Sequence, residues 1–181
     1  MEVFQHEIKI PKERIAVLIG KKGETKQEIE TATLTQLIID SKEGDVTIRG
    51  RDGMGIYTSK EIVTAIGRGF NPEIALLLLK VDYSFEAINL TDVSGKSKES
   101  LLRIKGRVIG KDGKTREIIQ QMTNTYVSVF GKTVCLIGET SSVQFAHRAI
   151  EMLLKGSTHA TVYKWLEKQR KTMKRREMTG E

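Results

Sequence analysis

Arg107-Val108-Ile109-Gly110-Lys111-Asp112-Gly113-Lys114-Thr115 repeats a pattern met ninety residues earlier, Val17-Leu18-Ile19-Gly20-Lys21-Lys22-Gly23-Glu24-Thr25. Each copy has an Ile before the first glycine, a Gly-x-x-Gly loop and a Thr two residues past it. An Ile follows at the same offset, Ile29 and Ile119, and then a β-branched run. A repeat of this length predicts two copies of one folded unit rather than a solenoid.

The bulk composition agrees with that division. A chain of 181 residues has room for two small domains, and 39% hydrophobic residues suit a soluble globular protein. Lys and Arg exceed Asp and Glu, 30 against 23, so the net charge of +7 favours a polyanionic partner. Cys135 is the only cysteine, which excludes an intrachain disulfide and a cysteine-based zinc site. It falls in a strand pattern and reads as a small buried hydrophobe. His6, His147 and His159 are scattered without metal-ligand spacing, and no Ser/His/Asp or paired-carboxylate arrangement stands out. The expectation is therefore no catalytic residue, no metal and no cofactor. The N-terminal residues lack the apolar core of a signal peptide, and the apolar run Ile74 to Leu79 is too short to span a bilayer, which predicts a cytoplasmic protein without a membrane partner.

Both repeats predict the same element order. In the first, Val3 to Ile10 alternates as a half-buried strand, with His6 on the apolar parity. Lys12 to Ile19 and Glu24 to Thr31 read as helices on either side of the loop. Gln36 to Ile39 and Asp45 to Arg49 read as a hairpin, and Tyr57 to Gly67 as a third helix. In the second, Phe85 to Asp92 is the strand, followed by helices Lys98 to Ile109 and Thr115 to Met122. Strands Tyr126 to Phe130 and Thr133 to Ile137 flank Gly131-Lys132, a Gly-first pair suited to a type II′ turn. The last helix buries Val143, Ala146, Ile150, Leu153 and Leu154. Between the repeats, Asn71-Pro72 starts a helix whose residues to Lys80 are apolar on nearly every side, predicting a buried connector. The fold class is α+β: two three-stranded antiparallel sheets, each covered by three helices, joined by an interdomain helix. The predicted boundaries are 1–70, 71–83, 84–156 and a basic tail 157–181, read as a solvent-exposed or RNA-seeking helix that frays toward Glu181, with Trp165 and Leu166 anchoring its first turn on the second domain.

A Gly-x-x-Gly loop between two helices, in the order β-α-loop-α-β-β-α, resembles the type I K homology (KH) domain, which clamps a nucleic-acid backbone. Glycines let the sugar–phosphate chain come close, the next helix start offers N–H groups and a positive dipole end, and lysines add charge. Other phosphate motifs fail on spacing: the glycine a P-loop needs five residues before Gly113 is Val108, and before Gly131 it is Tyr126. Aromatics flank neither loop, which argues against stacking platforms.

The loops differ in charge. Residues 10–30 carry a net +1 and residues 100–120 a net +4. Glu24 stands at the first helix start and Lys114 at the second; Asp112 opposes its neighbours but is outnumbered. The predicted RNA-binding set in the second repeat is Arg103, Arg107, Ile109, Gly110, Lys111, Asp112, Gly113, Lys114 and Arg116. Gly20, Lys21, Lys22 and Gly23 form a loop for RNA or for a protein partner. Lys164, Lys168, Arg170 and Lys171 of the tail are predicted to add phosphate contacts.

Almost the whole chain, least so before residue 12 and after residue 166, is similar to the archaeal Dim-two proteins, relatives of the eukaryotic ribosome-assembly factor partner of Nob one. The junction Gly67-Arg68-Gly69-Phe70-Asn71-Pro72-Glu73, with Ala75 and Leu76, carries the resemblance, together with the second loop from Gly106 to Thr115. Ala146-His147-Arg148-Ala149-Ile150 and Gly156-Ser157-Thr158-His159 through Val162-Tyr163 complete it. The resemblance implies binding of single-stranded RNA near the 3′ end of small-subunit ribosomal RNA through the second KH domain. It implies, as protein partners, the endonuclease Nob one and the alpha subunit of initiation factor two. Lys26 and Arg116 depart from the common KH pattern, which has an aliphatic residue there. A KH-fold adaptor that binds only protein is one alternative. An RNA-binding accessory subunit of an RNA-degrading exosome is another, although this chain has no room for the β-barrel such a subunit brings.

Overall fold

The computed structural model describes residues 3–180. The chain divides into two compact units, Met1–Phe85 and Glu86–Glu181. In the first, strand β1 (Phe4–Lys9) leads into helices α1 (Lys12–Ile19) and α2 (Glu24–Thr33). Strands β2 (Thr35–Asp40) and β3 (Asp45–Gly50) follow, then helix α3 (Gly53–Gly67). The sheet order is β1-β3-β2, antiparallel throughout, with Ile8 opposite Val46 and Leu37 opposite Ile48. Alternation sends Leu37, Val46 and Ile48 into the core, where Ile15, Leu18, Ile29, Ile62, Val63 and Ile66 meet them from the helices. His6 lies half-buried on the same parity as Ile8 and Ile10.

Helix α3 begins a turn earlier than its apolar pattern suggested. Asp52 caps it by accepting a hydrogen bond from the Gly55 N–H at 2.8 Å. Gly55 is required in the first turn, because a Cβ would lie 2.3 Å from the Thr33 carbonyl oxygen. The segment expected as one buried helix over Glu73–Lys80 forms a short helix α4 (Pro72–Ala75) and a 3₁₀ turn, Leu76–Leu79. It packs on α3, burying Ala75 and Leu78, while Leu79 is 39% exposed. Asn71 caps with its carbonyl, which accepts from Ile74 and Ala75, rather than with its side chain.

The second unit repeats the plan with β4 (Tyr83–Asn89), α5 (Thr91–Ser94), α6 (Lys98–Ile109) and α7 (Lys114–Thr123). It continues with β5 (Tyr126–Phe130), β6 (Thr133–Glu139) and α8 (Thr140–Leu154). Its sheet order is β4-β6-β5. Strand β4 stops short of the predicted Asp92 because Asn89 Oδ1 accepts from both the amide and the hydroxyl of Thr91, turning the chain into α5. Gly131 takes the positive φ of +55° that the predicted turn requires. Cys135 is fully buried. The C-terminus is helical as predicted, over His159–Thr179 (α9), and it is held more firmly than by one anchoring turn: Val162 and Leu166 are buried in the same core as Ile119, Ile150 and Leu153. Trp165 stacks obliquely on Phe145, ring centroids 6.4 Å apart.

The units differ sharply at one matched position. Leu34 ends α2 in the left-handed conformation, φ +53°, with 82% of its surface exposed. Asn124 ends α7 with the same φ, and asparagine tolerates it where leucine is strained. Leu34→Asn is expected to raise the stability of the first unit by about 1 kcal/mol, measured by thermal unfolding in far-ultraviolet circular dichroism.

Candidate nucleic-acid interface

The two loops are nearly superimposable in backbone angles. Gly20 has φ 76° and ψ 175°, and Gly110 has φ 75° and ψ 177°. A single 3₁₀ turn follows in each, Lys21–Gly23 and Lys111–Gly113, with Lys22 and Asp112 both at φ +54°. Gly23 and Gly113 close the loops at φ +79° and +76° and start α2 and α7. The first and last glycines serve different ends. A Cβ on Gly110 would fall 2.1 Å from Thr115 Oγ1 and 2.7 Å from the Thr115 nitrogen; Gly20 meets Thr25 in the same way. This is why a Thr recurs two residues past each loop: the glycine and the threonine pack as one unit. Gly23 and Gly113 would have nothing within 4 Å of a Cβ. Their faces are open, and a backbone from another molecule can lie against them.

No side chain caps α7. Apart from the Lys114 N–H, which the Lys111 carbonyl accepts, its first-turn amides and positive dipole end are left to an outside anion. Lys111, Asp112, Lys114 and Arg116 are exposed around it, with Arg103 exposed on α6 and Ile109 half-buried beneath. The first loop has the same shape, with Lys21 and Lys22 exposed and Glu24 in the place of Lys114.

Arg107 behaves differently from the other predicted contacts. Its Nε donates to the Leu153 carbonyl at 3.2 Å and its Nη2 to the Ser157 carbonyl, so it ties α6 to the end of α8. In the first unit Arg14 makes the equivalent clamp from one turn earlier, donating to the Ile66 and Phe70 carbonyls at 2.8 and 2.9 Å. Counting charge along the chain cannot separate such a clamp from a free cation.

Sequence reasoning also missed how α9 holds the loop. Thr158 caps α9, His159 Nε2 lies 2.9 Å from the Arg107 carbonyl oxygen, and Tyr163 Oη shares a 2.9 Å hydrogen bond with Thr115 Oγ1. Tyr163 thus braces the threonine that packs on Gly110. Seven residues further along both helices, Arg170 reaches Met122, so α9 runs beside α7 in the same direction. The signal was the stretch Gly156 to Tyr163, whose residues serve as a carbonyl acceptor for Arg107, as a cap and as braces. Lys164, Lys168, Arg170 and Lys171 are exposed or half-exposed along α9. Arg170, Lys171 and Lys174 line a cleft with Met122 and Glu167. Among the described residues no cluster of His, Cys, Asp and Glu suits a metal ion, and no helix is long and apolar enough to cross a membrane.

Comparison with known proteins gives the same picture. Residues 84–171 match the Pno1 second-domain model, a eukaryotic type KH domain (KH domain type I), and residues 5–65 match the general KH domain model. A KH domain-containing protein of Methanocaldococcus jannaschii is 49% identical over 172 residues, covering 93% of this chain and 75% of that one. The pre-rRNA-processing protein pno1 of Aspergillus fumigatus is 32% identical over 127 residues, or 69% of this chain; the match spans 50% of that relative's length. Among solved structures, Dim2p from Pyrococcus horikoshii, crystallised in a complex with a/eIF2alpha and rRNA, aligns with a TM-score of 0.86. It is 46% identical, with 94% of this chain and 96% of that one covered.

Proposed function

The chain belongs to the Dim2/Pno1 family of tandem KH proteins, and on that premise we propose that it binds single-stranded ribosomal RNA through its second repeat during small-subunit maturation. The observation that carries this reading is the open face of Gly113 beside the uncapped start of α7, with Lys111, Lys114 and Arg116 exposed around it. Phosphates would lie against the loop, and bases between the helices and the edge strand β5. The RNA is the 3′ region of small-subunit rRNA. The protein is an adaptor rather than an enzyme, works in the cytoplasm, and takes the alpha subunit of initiation factor two and the Nob-one endonuclease as partners. The complex of the Pyrococcus relative with rRNA and a/eIF2alpha, and the pre-rRNA-processing name of the Aspergillus relative, support the ribosomal RNA and the initiation-factor partner.

Titration of a fluorescent single-stranded oligonucleotide with the 3′ sequence of small-subunit rRNA tests the proposal. Saturable binding, competed by the same RNA and poorly by its complementary duplex, is expected. Equal affinity for both would sink it.

The first repeat favours a second role. Glu24 replaces Lys114 where a phosphate would sit, so its loop serves as scaffold and its surface as a protein-binding face.

Helix α9 extends the basic surface along α7. Removing residues 171–181 leaves Val162, Leu166 and Arg170 in place but deletes Lys171, Lys174, Arg175 and Arg176. The truncated protein is expected to keep its ranking of RNA sequences while its salt dependence flattens by ~0.7 in log–log slope for each phosphate that the shortened helix no longer neutralises. An unchanged slope would mean that this end of the helix never meets the backbone.

A further inference from the structure

Beyond the loops, both repeats contain one more matched construction, on the open edge of each sheet. Strands β2 and β5 each pair on one side only, so the amides of Leu37 and Val127 face outward from the sheet. In the first unit the Leu37 N–H donates to Glu30 Oε1 at 2.7 Å. In the second the Val127 N–H donates to Gln120 Oε1 at 2.8 Å. Both pairs stand ninety residues apart. The same bridge from helix to strand edge is therefore made by a carboxylate in the first unit and by an amide in the second, at the groove between helix and edge strand where bases would lie.

The oxygen used is the same; the atom left over is not. With its oxygen engaged, Gln120 turns its NH₂ outward as a two-proton donor, and Nε2 has no partner among the described residues. Glu30 has instead a second oxygen that only accepts and carries negative charge. The cation one turn earlier follows suit. Lys26 Nζ lies 3.9 Å from Glu30 Oε1, whereas Arg116, its counterpart, faces a neutral Gln120 and makes no ion pair among the described residues. Lys26 and Arg116 are the two positions that depart from the common aliphatic pattern, and the pairing gives each a distinct role.

We infer that residues 30 and 120 act together with the Glu24/Lys114 difference at the helix start in deciding which groove admits RNA. Gln120 donates to acceptor atoms on a nucleobase edge and leaves Arg116 for a phosphate. Glu30 places a negative charge at the same point and holds Lys26, which closes the first groove to a polyanion. The inference rests on the reading that the second repeat binds RNA.

Reciprocal exchange in the full chain tests it, with single-stranded octanucleotides of uridine, cytidine or adenosine as probes. The backbone amides of Leu37 and Val127 in ¹⁵N-resolved NMR report each groove separately. Gln120→Glu should not disturb the fold, since the first repeat already makes the identical bridge with a carboxylate. It is expected to weaken RNA binding by about tenfold, the worth of the charge-assisted Arg116–phosphate contact that a carboxylate at 120 would draw away, and, through the lost amide donor, to change the ranking of the three oligonucleotides. Glu30→Gln is expected to bring RNA-dependent shifts to Leu37 that the parent protein lacks. Parent-like affinity and ranking in Gln120→Glu would overturn the inference, as would an unmoved Leu37 in Glu30→Gln at RNA concentrations that saturate the second groove. Failure of the underlying reading looks different: the parent protein itself would then bind none of the probes, and Val127 would not shift.

Discussion

Replacing both Lys111 and Lys114 with Asp is expected to weaken single-stranded RNA binding on the order of 100-fold, two charge-assisted contacts at about 1.5 kcal/mol each. The same change at Lys21 and Lys22 should leave affinity nearly unaltered. The loops share their backbone angles, so the contrast isolates charge from shape. Lys114 stands at the start of α7 with no side-chain cap beside it, whereas the first repeat presents Glu24 there. Neither lysine of the second loop makes a side-chain hydrogen bond or ion pair within the described residues, so the double substitution costs the fold little. Fluorescence anisotropy at fixed ionic strength would measure the difference. Equal losses in the two double variants would contradict the assignment of the RNA site to the second repeat.

Substituting the two glycines of the second loop should separate stability from binding. Gly110→Ala meets two obstacles. Its φ of 75° and ψ of 177° belong to a region that essentially only glycine occupies, and the new Cβ would collide with the side chain and the backbone nitrogen of Thr115. Thr115 cannot yield, because it is buried and braced by Tyr163. The expected cost is more than about 3 kcal/mol. Gly113→Ala has only the left-handed conformation against it, with free space around the methyl, and should cost about 1–2 kcal/mol. Trp165, the only tryptophan, packs in the second unit, so its fluorescence in a urea titration reads the relevant transition. In binding, Gly113→Ala should lose affinity while still folded, because its methyl projects into the space the RNA backbone would take. Comparable destabilisation by the two substitutions would show that the close approach of Thr115 is not what demands the first glycine.

The sequence alone determined the repeated architecture, because the elements shared by the two repeats are specified by local chemistry, whereas α5 and the break after α4 are not. Period-two alternation marks the strands, helical spacing marks α1, α6 and α8, and the Gly-x-x-Gly loop recurs with its threonine. The resemblance to a KH family followed from the same residues. What the chain could not show is the destination of side chains that act across long separations. Arg107 and Lys111 look alike as charges, and only folding brings Arg107 to the carbonyls of Leu153 and Ser157 and leaves Lys111 in solvent. The basic composition of residues 157–181 reads as a helix anchored by Trp165 and Leu166, but does not show that Val162 joins Leu166 in completing a core whose other members reach back to Leu90. Glu30 and Gln120 read as ordinary helix-surface residues until tertiary structure sets each against the amide of an edge strand. Local periodicity is a property of neighbours in sequence. The burial of one charge, the freedom of another and the pairing of a helix with a strand edge are properties of neighbours in space, and those the tertiary structure decided.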